Sequence, residues 1–313
     1  MRNVVNTTHI EGLLYEHDLQ LRESGPNSKN PGTPFIMGNV QIATDEAMEN
    51  IVTVHFTYVT ATFGSGKANA TFDVLSDIIS GKLANVMESG QDAAAKLRID
   101  SAIGLNDFYT DRNGKEELVS AKRNEGGFVH TTASLNADEK TRNTFKCDMV
   151  ITGTKRIDAD EERKTPERLE VKGYIFDFRK ALLPVTFSAL NANAMDYFEG
   201  LEATSKNPVF TQVWGRQVSM VSVRQIVTES AFGDDEVREV TNTRRDFVIT
   251  GAAKNPYVWD DEDAMTAAEL TEKIAERETY LATVKQRNDE YKAQRAQGGA
   301  ATAPAAGKDT YNF

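Results

Sequence analysis

The segment from Arg168 to Lys180 reads R-L-E-V-K-G-Y-I-F-D-F-R-K, and its alternation separates two kinds of side chain. Leu169, Val171, Gly173 and Ile175 fall on one side of an extended strand. Lys172, Tyr174, Phe176 and Phe178 fall on the other, with Arg179 and Lys180 following. Aromatic faces interleaved with cations suit one chemistry above others. A nucleobase stacks on an aromatic ring for ~1–3 kcal/mol, and the cations meet its phosphates. Lys146 lies on the outward side of the preceding strand, opposite Cys147. Trp214-Gly215-Arg216 adds a further aromatic-plus-cation element. The competing reading buries Tyr174, Phe176 and Phe178 under the other half of the chain or under the C-terminal helix.

Other chemistries find little support. His9, His17, His55 and His130 lie far apart without metal-ligand spacing, and no two carboxylates are bracketed by apolar strand ends. Gly64-Ser65-Gly66-Lys67 invites a phosphate-loop reading, which fails because Ala61 and Ala68 occupy the other required positions. The only cysteine, Cys147, alternates with Phe145, Met149 and Ile151, the pattern of a core residue in a reducing compartment. A non-catalytic protein without cofactor or metal is expected. The net charge of −11 confines any polyanion site to a local patch. No apolar run approaches the ~20 residues of a membrane span, and no signal-peptide core follows Met1. A soluble, cytoplasmic protein without membrane contact is the expectation.

The elements that must position these residues are mostly strands. Strands are expected at Leu13 to Leu21, Phe35 to Ala43, Ile51 to Thr60, Lys96 to Tyr109 and Glu117 to Ala121, with Asn113-Gly114 turning the last two into a hairpin. A helix capped by Asn69 falls between the third and fourth. The second half repeats the order with Thr144 to Arg156, Arg168 to Phe178 and Pro184 to Leu190. A helix near Ala192 to Leu201 follows, then a strand from Val209 to Val227 interrupted at Gly215, and a partner from Val237 to Thr250. Ile36-Met37-Gly38 echoes Val171-Lys172-Gly173, Val54 to Val59 echoes Val185 to Leu190, and the run from Asn69 echoes the run from Asn191.

Five strands with a helix between the third and fourth is the order of an oligonucleotide-binding (OB) barrel. The fold expected is mainly β with a C-terminal α-helix, arranged as two tandem OB-like antiparallel barrels; a generic antiparallel sandwich is the alternative. Residues 1–139 would form the first module and 140–257 the second. Residues 258–297 would be a linker and a long amphipathic helix, and 298–313 a disordered tail. Thr266 and Glu269 form a capping box for that helix. Its narrow stripe of Leu270, Ile274, Leu281, Val284 and Tyr291 suits docking on the body or pairing with another helix in a homo-oligomer.

An OB body, a low-complexity linker from Gly298 to Gly307 and a terminal Phe313 together resemble the single-stranded DNA-binding proteins of bacteria and their phages. The resemblance covers the architecture and the last residues; the family's tails are strongly acidic, whereas here Lys308 offsets Asp309. It implies single-stranded DNA as ligand, in phage replication or recombination. It further implies that Phe313, with Asp309, docks on replication or recombination proteins; Tyr311 is placed to add a weaker contact at the rim of the pocket that takes Phe313. The alternative function is a structural or assembly protein of a phage particle.

Overall fold

The computed structural model describes residues 3–162, 165–228, 230, 232, 236–260 and 264–296. The fold is mainly β with a C-terminal helix. In chain order the elements are β1 (Asn6–His17), β2 (Gln20–Glu23), β3 (Pro34–Ala43), β4 (Ile51–Thr60), α1 (Ala70–Ile79), α2 (Val86–Ser89), β5 (Lys96–Arg112) and β6 (Lys115–Thr131). Then come β7 (Asn143–Ile157), β8 (Arg168–Phe176), β9 (Leu182–Ala189), α3 (Ala192–Gly200), β10 (Val209–Thr228), β11 (Glu236–Ala252) and α4 (Ala267–Ala296).

Pairing divides these strands into two circuits. β1 pairs with β3 and β3 with β4. β4 meets β6 in parallel at Val54 and His55, β6 pairs with β5, and β5 returns to β1. In the second half β7 pairs with β8 and β8 with β9. β9 meets β11 in parallel at Ser188, β11 pairs with β10, and β10 returns to β7. The echoed segments fall on corresponding elements: β3 with β8, β4 with β9, and the caps of α1 with α3. Asn69 Oδ1 accepts from Thr71 N at 3.2 Å and Asn191 Oδ1 from Asn193 N at 2.9 Å, so each helix opens on the same side-chain cap.

Each circuit encloses its own apolar cluster. Ile10, Ile36, Val54, Phe56, Leu97 and Ile99 fill the first, sealed by Leu75 and Ile78 of α1. Phe145, Cys147, Val171, Ile175, Phe187 and Phe247 fill the second, sealed by Met195 and Phe198 of α3. Burial of Cys147 pushes its thiol pKa well above the ordinary value. The circuits meet where β1 pairs antiparallel with β7, from Asn6↔Cys147 to Ile10↔Asn143. A polar seam joins them as well. Asn124 and Gln217 exchange side-chain amide bonds at 2.9 and 2.8 Å, and Arg245 donates to Thr53 Oγ1 at 2.6 Å.

Several boundaries differ from the sequence reading, each for a local reason. The expected first strand is two, β1 and β2, because the chain turns at Asp18, whose carboxylate accepts from Asn39 N and, at 2.8 Å, from Asn39 Nδ2. The strand expected to reach Phe178 ends at Phe176. There Asp177 Oδ1 accepts from Arg179 N and Ala181 N and draws the chain into a turn. β10 is continuous through Gly215, with one register shift between Trp214 and Gly215.

The helix α4 docks on this chain's own body. Thr266 Oγ1 accepts from Glu269 N and Glu269 Oε2 from Thr266 N, the capping box foreseen. Leu270 is buried and Ile274 packs beside it in a third cluster with Val150, Phe176, Leu182, Phe210, Ala264 and Met265. Further along, Arg277 makes a two-point pair with Asp107 of β5 at 2.8 and 2.6 Å. Lys285 and Lys292 hold Glu116 of β6 at 2.7 and 2.8 Å. Of the two roles expected for the apolar stripe, docking on the body is the one seen at its start, where Leu270 and Ile274 pack on β7, β8, β9 and β10.

Candidate nucleic-acid interface

The outward face of β8 is where sequence reasoning placed the stacking rings, and the structure corrects that placement. Phe176 is wholly buried and Tyr174 packs beside it, both beneath the segment that carries Tyr257, Trp259, Met265 and Leu270. Trp259 Nε1 donates to Pro208 O at 3.0 Å and Tyr257 donates to Asp148 Oδ1 at 2.9 Å, so that segment is pinned by hydrogen bonds as well as by apolar contact. Burying a ring such as Phe176 contributes roughly 2 kcal/mol. It also removes the π-face from any base. Lys172 is exposed on β8. Phe178, Arg179 and Lys180 occupy the β8–β9 turn, where Phe178 is exposed and the Arg179 guanidinium lies 5.2 Å from its ring centroid. None of these residues lines the groove described next.

Lys146, Trp214 and Arg216 come together. They line a groove of about 960 Å3 over the junction of the two circuits. Strand register explains how. On β10, β7 and β1, Trp214 lies opposite Lys146 and Lys146 opposite Thr7. The next row crosses five strands, Arg216 opposite Thr144, Thr144 opposite His9, His9 opposite Asp100, and Asp100 opposite Phe128. Side chains at paired positions share a face of the sheet, so these residues form one floor. Lys140, from the turn before β7, stands at its edge.

Trp214 is 40% exposed and Phe128 55%, large rings that the core does not take up. Trp214 lies against β11, where Gly251 makes room: a Cβ there would stand 2.3 Å from Trp214 Nε1. The charges of the floor favour an anion. Asp100 is engaged by His9 Nδ1 at 2.7 Å and by Arg98 Nε at 3.5 Å, whereas among the described residues Lys140, Lys146 and Arg216 have no carboxylate partner.

His9, Phe128 and Lys140 are members of the groove that sequence reasoning did not select. One signal was available for Phe128: the preceding Gly126-Gly127 inside a strand pattern marks a bulge. Among the described residues no cluster of His, Cys, Asp and Glu could hold a metal ion, and no helix is long and apolar enough to cross a membrane. Asp309, Tyr311 and Phe313 lie outside the described residues.

A mainly-β chain of two strand circuits with a basic and aromatic groove at their junction is the class of protein defined to this point. The chain belongs to the YorF family, whose model matches residues 5–287. No curated protein sequence matches it significantly. Among solved structures it is similar to the wild-type single-stranded DNA binding protein from Thermus aquaticus. That match has a TM-score of 0.44 and 11% identity, covering 82% of this chain and 96% of that one. A deletion mutant of the same protein matches with a TM-score of 0.45 and 10% identity, over 84% of this chain and 100% of that one. Likeness at this level carries no inference about function.

Proposed function

We propose that this chain binds single-stranded DNA without catalysis, through the groove at the junction of its two halves. The observation that carries the reading is the meeting of Trp214, Lys146 and Arg216. An exposed ring and two cations that have no carboxylate partner among the described residues lie side by side on neighbouring strands, the combination that stacks a base and holds its phosphates. The proposal includes two OB-like modules, residues 1–139 and 140–257. It is supported by the two circuits of strand pairing, each with a helix between its third and fourth strands and each around its own apolar cluster. Cytoplasmic work in phage replication or recombination, with Asp309, Tyr311 and Phe313 recruiting a partner protein, completes the reading.

Titration of fluorescein-labelled oligo-dT at two salt concentrations tests it. Trp214→Ala is expected to weaken binding by ~1–3 kcal/mol. Lys146→Glu with Arg216→Glu is expected to flatten the salt dependence, because each lost phosphate contact removes about 0.7 from the logarithmic slope for a single strand. Wild-type protein that leaves the label's anisotropy unchanged at low salt would sink the proposal.

A second reading, assembly within a phage particle, is favoured by one observation. Phe232 between β10 and β11 is 91% exposed, with Ile226 and Val240 also exposed along the strands that lead to it. Concentration-dependent self-association lost in Phe232→Ser, in a protein that does not bind oligo-dT, is the outcome that would select it.

A further inference from the structure

We propose that one DNA strand crosses both halves of the molecule in a single continuous site, with Trp214 and Phe128 as its two stacking platforms. This rests on the single-strand reading above and adds the path and the residues of the first half. The row from Arg216 to Phe128 spans β10, β7, β1, β5 and β6 without a break in pairing. Five adjacent strands lie about 19 Å from first to last at ~4.8 Å each, a span longer than one nucleotide. A strand lying across the β-strands would therefore meet Trp214 on the second half and Phe128 on the first.

Phe128 is placed there by a defect in the ladder. β6 puts Gly126 and Gly127 opposite the single residue Ser101, and the register shifts between Asp100 and Ala102. Both glycines take positive φ, 63° and 113°, and a Cβ on Gly127 would stand 2.3 Å from Asp100 O, so the bulge depends on glycine. Bulges re-aim the side chains beside them, and Phe128 is the next residue, 55% exposed. Between the two rings the row carries Thr144, His9 and Asp100, and His9 Nδ1 engages the Asp100 carboxylate at 2.7 Å. Lys146 and Arg216 stand nearest the tryptophan, where they meet the phosphates flanking its base.

The test measures affinity of full-length wild type, Trp214→Ala, Phe128→Ala and Phe128→Tyr for oligo-dT of graded length, with circular dichroism melts to confirm folding. On strands long enough to span the floor, Phe128→Ala is expected to lose about 5- to 150-fold, the range for one lost stack, and Phe128→Tyr to restore it. On the shortest strands that bind, Phe128→Ala should match wild type while Trp214→Ala is weakened. If Phe128→Ala matches wild type at every length while Trp214→Ala is weakened, the site is confined to the second half and the shared path is wrong. If neither substitution matters at any length, the single-strand reading of the groove fails with it.

Discussion

The two halves repeat one strand order, yet corresponding outer faces end in opposite states. In the first half β3 and β4 turn Asn39, Thr53 and His55 outward, and what covers them is polar. His55 Nδ1 shares a 2.9 Å hydrogen bond with Asn39 Oδ1, Arg245 reaches Thr53, and Ser219 N donates to Asn50 Oδ1 at 3.0 Å. In the second half β8 turns Tyr174 and Phe176 outward beneath an apolar cover from the C-terminal segment. A polar face can be covered only by groups that meet its hydrogen bonds one by one. An apolar face accepts any apolar segment of suitable shape. With both of these faces covered, the open floor lies at the junction of the two circuits, where Trp214, Lys146, His9 and Phe128 line the groove.

The largest expected effect breaks the apolar cover. Phe176→Ala should cost about 3–5 kcal/mol by leaving a cavity under Met265 and Leu270, read as a lower urea midpoint, with oligo-dT affinity of the folded fraction unchanged. Weakened binding at full stability would return Phe176 to the DNA site and undo the contrast between the halves.

Next in size is the tie that holds the cover's helix. Asp107 and Arg277 are both nearly inaccessible, so Asp107→Ala leaves a buried guanidinium without its carboxylate. A loss of ~3 kcal/mol is expected, and adding Arg277→Met should recover much of it. Wild-type stability in Asp107→Ala would mean the pair does not hold α4 down.

The polar cover is sharpened by pH. Burial, with Arg123 adding to it, lowers the His55 pKa from 6.5 to about 4. As pH falls below 6.5 the unfolded chain takes up the proton first, so stability should decline between pH 6.5 and 4 and be fully present above that window. His55→Gln should flatten this limb of the stability curve. An unchanged limb would show that His55 is not the group that loses this cover in acid.

The smallest effect concerns the far end of α4. Bonds from Lys285 and Lys292 hold the Glu116 carboxyl down to about 2. The clasp is therefore fully present above the ordinary glutamate value of 4.5 and lost as pH falls through about 2. Because both lysines stay open to solvent and Glu116 is only partly buried, Glu116→Gln should leave the urea midpoint nearly unchanged while speeding amide exchange in residues 285–292. Equal exchange in both proteins would remove the clasp from the account.

Much of the framework was legible because it depends on neighbours in sequence. Alternation located most strands to within a few residues. Asn69, Asn191 and the Thr266–Glu269 box marked helix starts, since a cap needs only a side chain within reach of the next few N–H groups. The echo between the halves pointed to corresponding strands. Lys146 and the Trp214–Arg216 element were each legible in the sequence, though not their meeting across β7 and β10.

What tertiary structure decided was which outward faces stay open. Alternation assigns Tyr174 and Phe176 to a side of β8, but Met265 and Leu270, which cover that side, arrive from far along the chain. No local pattern encodes that meeting. Pairing likewise placed Trp214, Lys146, His9 and Phe128 on one floor, because cross-strand register brings together residues from β10, β7, β1 and β6 that share no stretch of sequence. Periodicity determines the side a residue faces; only long-range packing determines what it meets there.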